Sequence, residues 1–382
     1  MSGARAARAL IRLLSFASQT AKGPREPPPP EDVSRIVVLQ MSGIGDLILI
    51  TPGLRALRRL YPRAHIDLIT YRLSNAAFLF RLPGVRQGCE FPLFDLELKW
   101  AWTRRFWQAL EGPVRFIRQE PCDLYVSFHH CWLPQWYLLE LWLAVRSRAR
   151  YKIGINPDFV RSPGVFDRAL PESQLGERHY RPFFLQVVGL LGETGKDLSM
   201  EFPLEPGEVR NAQEAINTAL AGKRRIICLH VGAMHAVKLW PLDRFIELAK
   251  RFEADQYGLV LIGTKEERHL TEQLAASLPS GTVLDVAGTT TLFQMAAFID
   301  ASDLFIGNDS GPMHIAVARE RPTIGLTGPG KPRYCAYEAS EALILKNPES
   351  GAAPDGLLFK NTDRRWELSV DDVYAAARSC LS

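Results

Sequence analysis

The chain has 382 residues, enough for two domains with a substantial buried core. Apolar residues make up 47% and charged residues 23%, the balance of a globular protein. The net charge of +4 suits an anionic ligand or surface but is too weak to argue for nucleic acid.

The N-terminal stretch carries Arg5, Arg8, Arg12 and Lys22 without an acidic residue, interleaved with Leu10, Ile11, Leu13, Leu14 and Phe16. Two readings stand side by side: an interfacial helix with snorkelling arginines that touches a membrane face, or a frayed tail ahead of the linker "PREPPPPED". A cleaved signal peptide would need a longer apolar run and a small-residue cleavage site. No apolar run in the chain approaches the ~20 residues of a membrane-spanning helix. The six cysteines show no CxxC pair or His/Cys ligand spacing and read as reduced thiols filling the core.

After the linker, "RIVVLQ" (35–40) reads as a buried strand and "TPGLRALRRLYP" as a helix with Pro52 in its first turn. "HIDLITY" (65–71) and "CDLYVSF" (122–128) are further strands; an apolar helical stretch and "YKIGI" (151–155) follow. From about Pro157 to Lys223 the periodicity weakens. The rhythm restarts with "RRIICLHVG" (224–232), a helix from Pro241 to Phe252, strand "GLVLIG" (258–263) and a helix over Glu266 to Leu278. "TLFQMAAFIDAS" (helix), "DLFIG" (strand), the turn "NDSGP", a helix over Met313 to Arg319 and strand "PTIGL" complete it. Strands alternating with helices predict parallel sheets covered on both faces, an α/β protein with two Rossmann-like halves facing across a cleft. The expected domains are a tail and linker over 1–34, a first Rossmann-like domain over 35–210 and a second over 211–382. Ligands of such sheets bind at the carboxyl ends of the strands.

Three motifs sit at those strand ends. "SGIGD" supplies Ser42, Gly43, Gly45 and Asp46, but the dinucleotide fingerprint GxGxxG fails because Ile48 stands where its third glycine belongs. No acidic residue closes the next strand to hold a ribose, since Asp67 lies inside it. The glycines either turn the strand sharply or let a ligand approach; Asp46 either caps the helix start or stands as a general base. "GAMHAVKLWP" (232–241) places Lys238 at a strand end, suited to a leaving-group phosphate or else merely solvated. "GNDSGPMHIAVARERPTIGLTGPG" (307–330) joins a strand to a helix through Asn308, Asp309, Ser310 and Gly311, with His314 one turn in. Helix-start N–H groups, the positive dipole end and a hydroxyl make an anion site, and "TGPGKPRY" adds Lys331 and Arg333; together they point to a bound diphosphate. Metal signals are poor: there is no DxD, and "HHC" (129–131) lacks the i, i+4 spacing of common zinc sites, so a substrate contact is the better reading there. No GxSxG elbow supports nucleophilic hydrolysis.

These three regions, in this order, resemble the signature regions of glycosyltransferase family nine, the ADP-heptose:lipopolysaccharide heptosyltransferases, from Arg35 to the C-terminus. The resemblance implies the two-Rossmann GT-B fold. It also implies an inverting transfer of a heptose from ADP-heptose to a lipopolysaccharide core or related lipid-linked glycan acceptor, with no metal and no cofactor. By the same resemblance Asp46 is the base and Lys238 lies near the donor phosphates. Asp309, Ser310, Gly311 and His314 form the donor turn, and Glu266, with Glu267 as the alternative register, lies near the donor nucleoside. Ser42, Gly43 and Gly45 form the acceptor-side loop. It implies a cytoplasmic protein, peripheral at the inner face of the inner membrane, to which Arg5–Lys22 and "LKWAWTRRFW" (98–107) would contribute; core packing also explains those tryptophans. This chain departs from the pattern at Gln40, where the family has arginine, and at Ala233 and Met234, where hydroxyl residues are common. A nucleotide-binding module without transfer activity and a family member using another sugar nucleotide are the alternatives. An NAD-dependent enzyme would need the missing third glycine.

Overall fold

The computed structural model describes residues 25–91, 103–130, 134–158, 160, 164–175, 179–328, 337–347 and 366–382. The tail Arg5–Lys22, Cys131, Lys331, Arg333 and residues 98–102 of the aromatic-basic stretch lie outside them. The chain divides into two compact units, at Met200/Glu201.

In the first unit, β1 (Arg35–Gln40), β2 (His65–Thr70), β3 (Val85–Glu90), β4 (Leu124–Ser127), β5 (Tyr151–Asn156) and β6 (Arg168–Pro171) form one sheet, ordered β3-β2-β1-β4-β5-β6 with every neighbouring pair parallel. After β1 come α1 (Ile44–Leu49) and α2 (Thr51–Leu60), separated at Ile50. Pro52 in the first turn of α2 lacks the N–H that would continue the ladder back, and the Thr51 hydroxyl donates instead to Ile48 O at 2.8 Å. Helices α3 (Arg104–Arg118) and α4 (Pro134–Arg146) cover one face of the sheet with a core built on Val37, Leu39, Ile69, Phe106, Ile117 and Leu141. Helix α5 (Tyr180–Gly189) packs beside α2 on the other face. Burial on both faces is why β1 reads as an unbroken apolar run; each buried aliphatic side chain contributes roughly 1.5–3 kcal/mol.

The charged groups at the start of β1 and inside β2 are structural. Arg35, at the start of β1, donates from Nε to Asp67 Oδ2 at 2.7 Å and from Nη1 to the carbonyls of Ile117 and Glu120. Arg86 Nη2 reaches the same carboxylate at 2.8 Å. Burial raises the Asp67 pKa, but the bonds from Arg86 and Arg35 outweigh it and hold the carboxyl below the usual aspartate value. Asp67 therefore ties β1, β2, β3 and α3 together and is not a ribose ligand; removing one partner of such a buried pair costs about 3–5 kcal/mol.

The second unit repeats the plan. Helix α6 (Pro206–Ala219) precedes β7 (Ile226–His230), α7 (Leu242–Ala254), β8 (Gly258–Ile262), α8 (Arg268–Ala275) and β9 (Val283–Asp285). Then come α9 (Leu292–Asp300), β10 (Leu304–Asn308), α10 (Gly311–Ala318), β11 (Thr323–Thr327), β12 (Leu343–Lys346) and α11 (Val370–Leu381). The sheet order is β12-β11-β10-β7-β8-β9, again all parallel. Both sheets thus have the doubly wound order 3-2-1-4-5-6, in which the chain reverses direction between β1 and β4 and between β7 and β10.

The expected junction at 210/211 is corrected to 200/201. Residue 210 lies inside α6, which packs on α9 of the second unit. Phe202 is already seated there, its ring 6.0 Å from that of Phe293 and its carbonyl accepting from Arg319 Nη1 at 3.3 Å. Among the described residues no helix is long and apolar enough to cross a membrane.

Candidate active site

In the second unit the β7 and β10 strand ends converge through one buried amide. Asn308, wholly buried, donates from Nδ2 to the carbonyls of Val231 (3.2 Å) and Gly232 (3.0 Å) and accepts the Trp240 N–H on Oδ1 at 3.0 Å. Both ends of the Val231–Trp240 loop are thereby fastened to the end of β10. Within that loop Ala236–Lys238 forms a single 3-10 turn, and Lys238 Nζ donates to Asp309 Oδ2 at 2.8 Å and, at 3.4 Å, to the Asp309 carbonyl. Lys238 and Asp309, which share no sequence neighbourhood, stand together here. The cation also offsets a carboxylate that would otherwise repel an anion at this turn.

Helix α10 begins directly after the turn, with Ser310 as its N-cap and Pro312 in its first turn. The first-turn N–H groups of a helix have no intrahelical acceptor, and Pro312 has no N–H, so the amides at Ser310 and Gly311 are the ones this helix start presents. His314 is 4% exposed; its Nδ1 shares a 2.5 Å hydrogen bond with the Tyr337 hydroxyl, and Nε2 lies 4.0 Å from Asp309 Oδ1. Burial pushes its pKa down to about 4, so the ring is neutral near pH 7.

Glu266 does not join this group. Its side chain is exposed, whereas Glu267, one residue on, turns inward: its Oε2 accepts the Thr264 N–H at 2.8 Å and lies 3.4 Å from His230 Nε2. Burial raises the Glu267 pKa, but the bonds from His230 and the Thr264 amide outweigh it, leaving an ionised carboxylate. The loop positions this acid by contact: a Cβ added at Gly232 would stand 1.9 Å from Glu267 Oε1, so only glycine leaves the carboxylate its place. The second register is therefore the one the structure brings to the strand ends.

The first unit presents the "SGIGD" loop at the end of β1. Gln40 is buried, and the Ser42 hydroxyl donates to its Oε1 at 3.5 Å. Gly43 caps α1 at φ −69° with nothing within 4 Å of an added Cβ. That backbone is open to any residue, so a tight turn is not the reason for this glycine. Gly45 and Asp46 occupy the first turn of α1, with the Asp46 carboxylate half-buried at its positive end. His129 and His130, at the end of β4, are 2% and 4% exposed, and His130 stacks on Tyr180 at 4.4 Å. Burial pushes them down to about 3 and about 4. They are neutral core side chains, which corrects the substrate contact expected of them.

A cavity of about 470 Å³ opens elsewhere in the second unit, beside the loop after β9 and lined among others by Asn211, Thr289, Thr291 and Phe298. It shares no residue with the strand-end cluster. Sequence reasoning missed His230, the positioning role of Asn308 and Tyr337. The available signal for His230 was an imidazole closing the apolar strand "IICLH".

Two doubly wound sheets, one carrying a lysine-backed helix start beside a half-buried acid and the other a carboxylate at its first strand end, define a two-domain α/β protein of the Rossmann type. The family model "Glycosyltransferase family 9 (heptosyltransferase)" matches residues 177–356. "Lipopolysaccharide heptosyltransferase 2" of Salmonella typhimurium is 25% identical over 82% of this chain and 88% of its own length. The protein of the same name from Escherichia coli K12 is 26% identical over 82% and 88%. Among solved structures, a family 9 glycosyl transferase from Veillonella parvula superposes with a TM-score of 0.73 at 21% identity, covering 91% of this chain and 97% of that one. The E. coli ADP-heptose LPS heptosyltransferase II gives a TM-score of 0.66 at 19% identity, covering 91% and 98%. The chain is thus similar to glycosyltransferase family 9 over residues 177–356 and to curated heptosyltransferases over about four fifths of its length.

Proposed function

We propose that the protein transfers a heptosyl group from ADP-heptose to a hydroxyl of a lipopolysaccharide-core or related lipid-linked glycan acceptor, with inversion and without a metal ion. One observation carries the reading: Lys238, Asp309 and the Ser310–Gly311 helix start meet at the β7/β10 switch point, where doubly wound sheets bind phosphate groups. The names of the matched relatives support the sugar and the acceptor. An E. coli heptosyltransferase of this fold is described with ADP and with ADP-2-deoxy-2-fluoro heptose.

On this reading the acceptor oxygen attacks the anomeric carbon while the Asp46 carboxylate takes the hydroxyl proton. The bond from that carbon to the β-phosphate oxygen breaks, and its electron pair leaves on the diphosphate. Lys238 and the helix-start amides stabilise the charge that develops there, and Glu267 accepts a ribose hydroxyl at the end of β8. His314 shapes the turn from behind. The basic tail with Arg5, Arg8, Arg12 and Lys22 supplies peripheral contact with anionic lipid on the cytoplasmic side of the inner membrane.

Single-turnover and ADP-binding measurements on two variants test the assignment. Asp46→Asn is expected to lower kcat by about 10²–10⁴ with ADP affinity within about twofold of the parent. Lys238→Ala exposes the Asp309 carboxylate to the diphosphate and is expected to weaken ADP by about 2 kcal/mol, roughly 30-fold. Full turnover in Asp46→Asn removes it as the base, and unchanged ADP affinity in Lys238→Ala removes that lysine from the donor site.

A further inference from the structure

His230 ends β7, the central strand of the second sheet, and its imidazole is 3% exposed. Its neighbours in the sheet are β10 and β8, and the ring reaches the loop beyond each. Nδ1 lies 3.0 Å from Ser310 Oγ, after β10, and Nε2 lies 3.4 Å from Glu267 Oε2, after β8. A Cβ at Gly307 would stand 3.0 Å from His230 Cβ, so the glycine on the neighbouring strand leaves the His230 side chain its place.

The partners decide the tautomer. An ionised carboxylate only accepts, so Nε2 carries the hydrogen that faces Glu267. Nδ1 faces the Ser310 hydroxyl, whose hydrogen has the Asn308 carbonyl at 3.1 Å as a further acceptor. The two groups held by the ring are the ones assigned to opposite ends of the donor: the acid to the ribose and the hydroxyl to the turn beside the diphosphate.

We infer that His230 is a positioning residue that fixes the Glu267 carboxylate and the Ser310 hydroxyl as one unit, so that recognition of the donor ribose depends on a side chain that does not touch it. The inference rests on the donor site proposed above. The ribose grip is lost when the ring goes, although Glu267 itself is unchanged.

The test is binding of ADP and 2′-deoxy-ADP to the full chain by calorimetry, with folding of each variant checked by its denaturation midpoint. The parent is expected to prefer ADP by about tenfold, the worth of one hydrogen bond to a charged group. His230→Phe keeps the ring volume but has no N–H; its preference should fall to about one. His230→Gln places an amide N–H near the position of Nε2 and should restore most of the preference. His230→Asn, whose shorter amide mimics Nδ1, should leave it lost while keeping the Ser310 contact. A uniform structural effect would weaken both nucleotides alike and would not distinguish Gln from Asn. An ADP preference that survives in His230→Phe, or equal losses in the Gln and Asn variants, overturns the inference, as does a parent that binds ADP without any preference. A parent that binds neither nucleotide would instead overturn the donor site on which it rests. Should His230→Phe fail to fold, the Gln and Asn pair decides alone.

Discussion

Replacing Asn308 by alanine removes three hydrogen bonds from a wholly buried side chain. Two of them are donated to the carbonyls of Val231 and Gly232 and one is accepted from the Trp240 amide. Val231 and Trp240 are themselves 2% and 1% exposed, so water cannot readily replace what is lost. At about 1 kcal/mol net per bond, the second unit should lose about 3 kcal/mol. For a domain of its size that corresponds to a fall in Tm of about 6–12 °C, which scanning calorimetry resolves. Asn308→Asp keeps the acceptor for Trp240 but turns a carboxylate toward two carbonyls, and should be no more stable than the alanine variant. Because the fastened loop carries Lys238, the affinity for ADP should fall in both variants. A Tm change below about 2 °C in Asn308→Ala, or a parent-like Asn308→Asp, would refute the role given to this amide.

Gly232→Ala puts a methyl group where the Glu267 carboxylate stands, and the flexible acid, not the backbone, must move. The variant should fold with a near-parental midpoint and bind ADP about tenfold more weakly; parental affinity would show that Glu267 does not hold the ribose. Stability should also fall with acid. Burial keeps His129 at about 3 and His130 and His314 at about 4, so the unfolded chain, with imidazoles near 6.5, binds protons first. The contribution of each is complete above about pH 6.5 and drains as pH falls toward 4, by about 2 kcal/mol per ring at pH 5. Denaturation at pH 7.5 and 5.0 checks this: His130→Phe, which keeps the ring on Tyr180, should flatten the first unit's loss, and an equal slope in parent and variant would contradict it.

Much of the fold was legible because parallel strands buried on both faces leave long apolar runs: β1 and β8 stand within one residue of their expected limits. The edge strands β3 ("VRQGCE") and β9 escaped because they are only half-buried and carry mixed polarity. Helices α5 and α6 escape because the segment that holds them is weakly patterned. Yet "EPGE" before α6 held a signal, Pro206 at the first helical position within the Glu205–Glu208 capping box, and it would have moved the boundary ahead of that helix. At the site, strand-end glycines and the helix start marked where the donor turn lies. The sequence could not rank Glu266 against Glu267, since adjacent residues after a strand differ only in which way the loop turns them. Nor could it separate Gly43 from an ordinary turn glycine, because its unstrained φ and empty surroundings exist only in three dimensions.

The most direct measurement is a transfer assay in which the protein, ADP-heptose and a heptose-deficient lipopolysaccharide-core acceptor are followed by NMR, with and without excess EDTA. The account predicts stoichiometric release of ADP, a new glycosidic bond of anomeric configuration opposite to that of the donor, and an unchanged rate in EDTA. Retained configuration, loss of activity on chelation, or transfer only from a sugar nucleotide other than ADP-heptose would contradict it.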